Sequence, residues 1–185
     1  MERKYAVLVV DMLNDFVTGA LKCDRGLAIV PKTKQLLAGC RELGVPVIFC
    51  NDAHILGVDH ELKFWGDHAI KGTKGAEVID ELELCEKDYV VPKRRYSGFF
   101  QTDLKLLLDE LGVNTVIMTG LHAHMCVRHT AADAYQYGYD IVVAKDATDS
   151  FTEEDYIYGI KYLKDTYGAE ILDVDSILAN LKNKA

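Results

Sequence analysis

Short, continuously apolar runs alternate with longer amphipathic ones along almost the whole chain. No other feature constrains the fold as strongly. The runs at residues 5–10, 45–50, 89–91, 115–119, 141–144 and 171–174 are rich in Val and Ile. Strands covered on both faces read this way, because neither side alternates towards water. Helical patterns fill the intervals. Residues 30–43 end at Gly44, and Thr102 is placed to cap residues 103–111, which run into Gly112. Residues 123–137 end at Gly138, an acid-rich first turn follows Thr152 in a helix that stops near Gly168, and residues 175–183 form a last short helix. Strand-helix alternation predicts an α/β fold: three α/β/α layers, a Rossmann-like, mostly parallel sheet flanked by helices. With 185 residues and no linker-like stretch, one domain over residues 1–185 is expected.

Composition removes several function classes. The formal charge of −8 leaves no basic surface for nucleic acid or for an anionic membrane. No apolar run approaches the ~20 residues of a membrane-spanning helix. The first apolar run is interrupted by Asp11 and Asp15, too soon for a signal-peptide core. Five cysteines, an odd number without a CxxC pair, read as reduced thiols of a cytoplasmic protein, not as a disulfide framework or a cysteine zinc site.

Ligand sites in open parallel sheets lie beyond the carboxyl ends of the strands. Asp11 follows the first apolar run, Asn51, Asp52 and His54 the second, Lys93 to Arg95 the third, and Gly120 to Cys126 the fourth. An acid, a base and a cysteine therefore converge on one edge, the minimum for a nucleophilic thiol site. Cys126 at the start of a helix gains from the helix dipole, and Lys93 as a nearby cation would press the thiol pKa down. Asp11 would take the thiol proton and return it to a leaving amine. The long segment from Asp52 to Glu83 has weak periodicity and frequent Gly, His and Asp, which marks a functional loop.

Three motifs together resemble the isochorismatase-like cysteine hydrolases, and among them the nicotinamidases, over nearly the whole chain. They are Asp11-Met12-Leu13-Asn14-Asp15-Phe16 after the first strand, Pro92-Lys93-Arg94-Arg95-Tyr96-Ser97-Gly98-Phe99, and the stretch from Thr119 to Ala134 around Cys126. The resemblance implies a triad of Asp11, Lys93 and Cys126. It also implies a cis peptide between Leu121 and His122, whose N–H would join that of Cys126 at an oxyanion. Relatives that hydrolyse the vinyl ether of isochorismate typically carry Gly in place of the cysteine, so Cys126 implies amide hydrolysis through a thioester. Asp52, His54 and His68 match a divalent-metal set, with Glu61 as a fourth ligand and His60 as its competitor. That donor set suits Zn, with Mn or Fe as alternatives; no organic cofactor is implied. Phe16, Trp65 and Tyr96 match substrate walls. His122, His124 and His129 read as pocket lining or structure. The chain departs from the nicotinamidases at His122-Ala123-His124, where those enzymes usually carry Ala-Thr and an acid or neighbouring polar residue.

Three readings follow. The first is hydrolysis of nicotinamide to nicotinate and ammonia. The second is a metal-independent amidase for ureido or carbamoyl acids, resembling N-carbamoylsarcosine amidase, with Arg94, Arg95 and Arg128 as carboxylate holders. The third is a non-catalytic oligomeric member. The expected partners are a small-molecule amide and, from the family's habit, further copies of the chain.

Overall fold

The computed structural model describes residues 2–183. Six strands form one wholly parallel sheet: β1 (Tyr5–Val10), β2 (Val47–Asp52), β3 (Tyr89–Lys93), β4 (Thr115–Leu121), β5 (Asp140–Asp149) and β6 (Glu170–Leu172). Their order across the sheet is β3-β2-β1-β4-β5-β6, so the chain winds out one way from β1 and returns to start the other half at β4. That reversal beside β1 is where a crevice opens at the strand ends.

Alternate residues of each strand face opposite layers. Val7, Val9, Val47, Phe49 and Ile117 pack on α2 (Asp24–Glu42) and α7 (Val174–Lys182). Ala6, Leu8, Val10, Ile48, Val116 and Met118 pack on α4 (Leu104–Glu110), α5 (Cys126–Gln136) and α6 (Glu153–Tyr167). Two cores, one on each face, account for the unbroken apolar character of the strands. The short α1 (Asn14–Val17) and α3 (Leu62–Trp65) belong to the loops at the strand ends. Among the described residues no helix is long and apolar enough to cross a membrane.

The expected three-layer class and all six strands are present, with shifted ends. Two shifts have physical causes. α2 begins at Asp24, not at residue 30, and carries Pro31 in its interior. Its buried positions Gly26, Ile29, Val30, Thr33, Leu36, Leu37 and Cys40 keep helical spacing straight through the proline. Burial of that stripe outweighs the one hydrogen bond Pro31 removes. β5 runs to Asp149 instead of stopping at residue 144, past a register shift against β4 between Met118 and Gly120. A bulge keeps the strand paired through its polar stretch. At the start of α4 the assigned cap is Asp103, yet the side chain that accepts the Leu104 N–H is that of Thr102.

The Asn14-Asp15 pair explains how the long loop is held. Asn14 donates its side-chain amide to the carbonyls of Lys74 and Glu77, and Asp15 accepts the N–H of Ala69 at 2.8 Å. These bonds press the far part of the loop against the end of β1.

Candidate active site

β1 ends at Val10, and Asp11 turns out of it with φ of 53°. Asp is among the few residues with a side chain that tolerate this left-handed region. The turn returns the carboxylate towards β2, where Oδ1 accepts the N–H of Asp52 at 2.8 Å. Lys93 is the last residue of β3. Its Nζ lies 2.7 Å from Asp11 Oδ2 and 2.6 Å from Asp52 Oδ1. Cys126 opens α5 and is buried. Between β4 and α5 the Leu121–His122 peptide is cis. Gly120, at φ of 104°, lets β4 pass so close to Val10 that a Cβ there would sit 2.1 Å from the Val10 carbonyl oxygen. Asp11, Asp52 and Cys126 each bring a heteroatom within 4.8 Å of the other two. The cationic position among them is taken by the Lys93 ammonium.

The charges set one another's protonation. Burial and the neighbouring Asp52 carboxylate push Asp11 up to about 6, against the pull of Lys93. Burial would raise Asp52 too, but the Lys93 charge holds it below the usual carboxylate range. Burial would lower Lys93; the two carboxylates hold it well above its ordinary value. For Cys126 burial raises the thiol far above its ordinary value, and Lys93 lowers it only in part. This corrects the expected depression of the thiol pKa. Burial of the sulfur outweighs the Lys93 charge, and the Asp11 and Asp52 carboxylates add to it. The thiol rests protonated, and a carboxylate with a raised pKa stands beside it to take the proton.

A second group adjoins the first through Asp52. Asp52, His54, Glu61 and His68, all buried, bring one ligand atom each within 4.8 Å of the others. A chain excursion after His54 returns to it: His54 N–H donates to the Ala69 carbonyl, and Lys71 N–H donates back to His54. His54 Nδ1 is 3.0 Å from Asp59 Oδ2 and His68 Nδ1 is 2.8 Å from the Gly66 carbonyl, which leaves both Nε2 atoms turned inward. His54 Nε2 and Asp52 Oδ2 are buried without hydrogen-bond partners and stand 3.6 Å apart. The orphaned His54 Nε2 and Asp52 Oδ2, with the His68 imidazole and the Glu61 carboxyl beside them, fit a divalent cation. Glu61 joins this group; the competing His60 is exposed and packs on Phe64 instead.

Phe16, Trp65 and Tyr96 all line the pocket above Cys126. Trp65 donates its indole N–H to the Tyr96 hydroxyl at 3.1 Å. His122 lines the pocket as well. His124 is 3.1 Å from Ser150 Oγ and His129 Nδ1 is 2.8 Å from the Met125 carbonyl, so these two are structural.

The sequence matches the Isochorismatase domain family over residues 5–176. The chain belongs to the isochorismatase family. A solved N-carbamoylsarcosine amidase from Thermoplasma acidophilum is 39% identical, with a TM-score of 0.88 over 93% of this chain and 97% of that one. A solved nicotinamidase from Bacillus subtilis is 32% identical, with a TM-score of 0.86 over 92% and 99%. A probable inactive nicotinamidase from Arabidopsis thaliana is 35% identical over 88% of this chain and 89% of its own. This chain is thus an isochorismatase-family hydrolase whose relatives differ in substrate.

Several residues of this family member's site escape the sequence reading. Asp59 orients His54 and is itself clamped by Arg94, whose Nε lies 2.9 Å from Oδ1. Its separation of five residues from His54 on an irregular loop carries no periodic signal. Phe151 stacks on the His122 ring with centroids 3.8 Å apart and on Trp65 at 6.0 Å. It becomes visible only once β5 is known to continue to Asp149. Two of the three arginines are committed away from a carboxylate site: Arg94 is bound to Asp59 and Arg128 lies over Tyr158 and Tyr162, while Arg95 is exposed and bonds the Arg94 carbonyl.

Proposed function

We propose that this chain is a cysteine amidohydrolase that converts nicotinamide to nicotinate and ammonia. One observation carries the reading: the Asp11–Lys93–Cys126 group shares Asp52 with a four-ligand cluster of Asp52, His54, Glu61 and His68. A carbamoyl amidase of the metal-independent kind has no use for that cluster. The aromatic walls and the commitment of Arg94 and Arg128 elsewhere also favour a flat, uncharged substrate over a ureido acid.

The residues act as follows. Asp11 takes the proton from Cys126 Sγ as the sulfur attacks the amide carbon. The oxyanion forms near the N–H groups of His122 and Cys126, neither of which donates in the backbone bonds outside helices and strands among the described residues. Asp11 then gives its proton to the departing nitrogen, the C–N bond breaks, ammonia leaves and a thioester remains. A water molecule, losing its proton to Asp11, attacks the thioester carbon and releases nicotinate and the sulfur, which regains that proton. Lys93 keeps a positive charge beside Asp11 throughout and holds its carboxylate in place. Asp52, His54, Glu61 and His68 would hold a divalent cation that orients the pyridine nitrogen, directly or through water.

The test is ammonia release from nicotinamide by the purified protein, with bound metal quantified on the same sample. Release with about one metal per chain supports the reading. Release only from a carbamoyl substrate, without metal, overturns it in favour of the second.

A further inference from the structure

Trp65 and Tyr96 in the chamber above Cys126 hydrogen-bond each other, but His122, which also lines it, serves neither the triad nor the metal cluster and makes no side-chain hydrogen bond. His122 is 2% exposed, and both of its ring nitrogens are buried without a hydrogen-bond partner. Its faces are covered by aromatic rings: Phe151 stacks on it at 3.8 Å and Phe16 meets it edge-on at 6.1 Å. Buried polar atoms are almost always partnered, and an orphan pair on one ring asks for an explanation. The remaining open side is the chamber itself, which His122 lines together with Cys126.

We propose that the His122 imidazole is the specificity-determining group of this pocket: it hydrogen-bonds an uncharged polar group of the amide substrate and so selects neutral carboxamides over amides that bear a carboxylate. The amidohydrolase reading supplies the reacting group; the surroundings of the ring supply the rest. Among the described residues no Lys or Arg lines the chamber. Arg95 lines the adjoining cavity of about 400 Å³, which shares Glu61 and Tyr96 with the chamber, and is absent from the chamber's own lining. Burial, reinforced by His124, pushes the His122 ring down to about 3, so it offers one donor and one acceptor without a charge. Beside the neutral ring a carboxylate finds no charge partner, because Lys93 is compensated by Asp11 and Asp52 and the cation the metal cluster would hold is already faced by two carboxylates. A neutral donor or acceptor would satisfy the ring.

The only tryptophan, Trp65, stacks on Phe151 next to this ring, so its emission reports ligand in the chamber. The free volume there is about 10 Å³. That is room for roughly one water, so any ligand must displace a wall, and Trp65 is its most exposed aromatic one. The experiment titrates the Cys126→Ala chain, which does not consume the amide, with nicotinamide and with N-carbamoylsarcosine. Nicotinamide should bind at least about tenfold more tightly, the size of one hydrogen bond to a buried group. Adding His122→Phe, which keeps the stack and removes both nitrogens, should weaken nicotinamide about tenfold and leave N-carbamoylsarcosine within about twofold. His122→Asn, which keeps a donor and an acceptor, should recover part of the loss; it also serves if the Phe variant fails to fold.

Equal losses for both ligands, unchanged nicotinamide affinity, tighter binding of the anion, or no binding of either ligand would overturn the proposal. Ammonia release by the wild-type chain is scored separately. A collapse of the binding ratio without any release from nicotinamide would sink the hydrolase reading and leave the recognition role standing.

Discussion

Two histidine groups sit within one pocket's reach and do different things. His54 and His68 converge with Asp52 and Glu61 on a single point, their outer nitrogens tied to Asp59 and to the Gly66 carbonyl. His122, His124 and His129 lie closer together in sequence, yet no described metal-ligand group contains them. His124 faces Ser150 and Asp155, His129 faces the Met125 carbonyl, and the His122 nitrogens have no partner. The difference teaches that sequence proximity does not make a ligand set. His54 and His68 come together because one leaves a strand end and the other is carried back beside it by a parallel bridge between His54 and Ile70. The other three lie on a turn and a helix, where successive side chains point in different directions.

Variants can break this comparison at graded cost. The largest effect belongs to Cys126, which stands between the two groups. Cys126→Ala should lower turnover by about 10⁴-fold or more with the fold intact, measured by ammonia release and circular dichroism; near-normal turnover would rule out the thioester. Asp11→Asn should lower kcat by about 10³-fold with KM changed little, because the base acts in the chemical step. A loss confined to KM would count against that role.

Within the first group, His54→Ala or His68→Ala should drop bound metal from about one per chain to near zero and activity by about 10²-fold, with zinc, manganese and iron tested in reconstitution. Metal retained in both variants would dissolve the proposed ligand set. Asp59→Asn keeps the ligands but loosens the His54 ring, and metal affinity should weaken about 10- to 100-fold, read by competition with a chelator. The smallest effect is expected in the second group. His124→Ala removes a half-buried hydrogen bond to Ser150 and should cost about 1 kcal/mol of stability by denaturant unfolding, with metal content unchanged. A fall in metal on that substitution would merge the two groups.

Much of this was legible in the chain. Residues that follow separate apolar runs must lie on one edge of a parallel sheet, which is why chain order alone groups Asp11, Asp52, Lys93 and Cys126. The helix interior at Pro31 was not legible, because the local signal of a proline opposes the tertiary burial that overrides it. Asp59 and Phe151 were not legible either. Each acts through a contact set by how an irregular loop or a bulged strand returns, and neither leaves a period in the sequence.

What the sequence by itself determined is therefore the layering, the edge on which the chemistry gathers, and the residue types available there. Hydrophobic periodicity and covalent order suffice for these, because they are local. Tertiary structure alone decided that Lys93 is compensated by two carboxylates and that the Cys126 thiol, through its burial, stays protonated. It also decided that Glu61, not His60, joins the metal group, and that the His122 nitrogens are left without partners. Protonation, ligation and hydrogen-bond satisfaction depend on distances of a few ångströms between residues far apart in the chain, and only packing sets those distances.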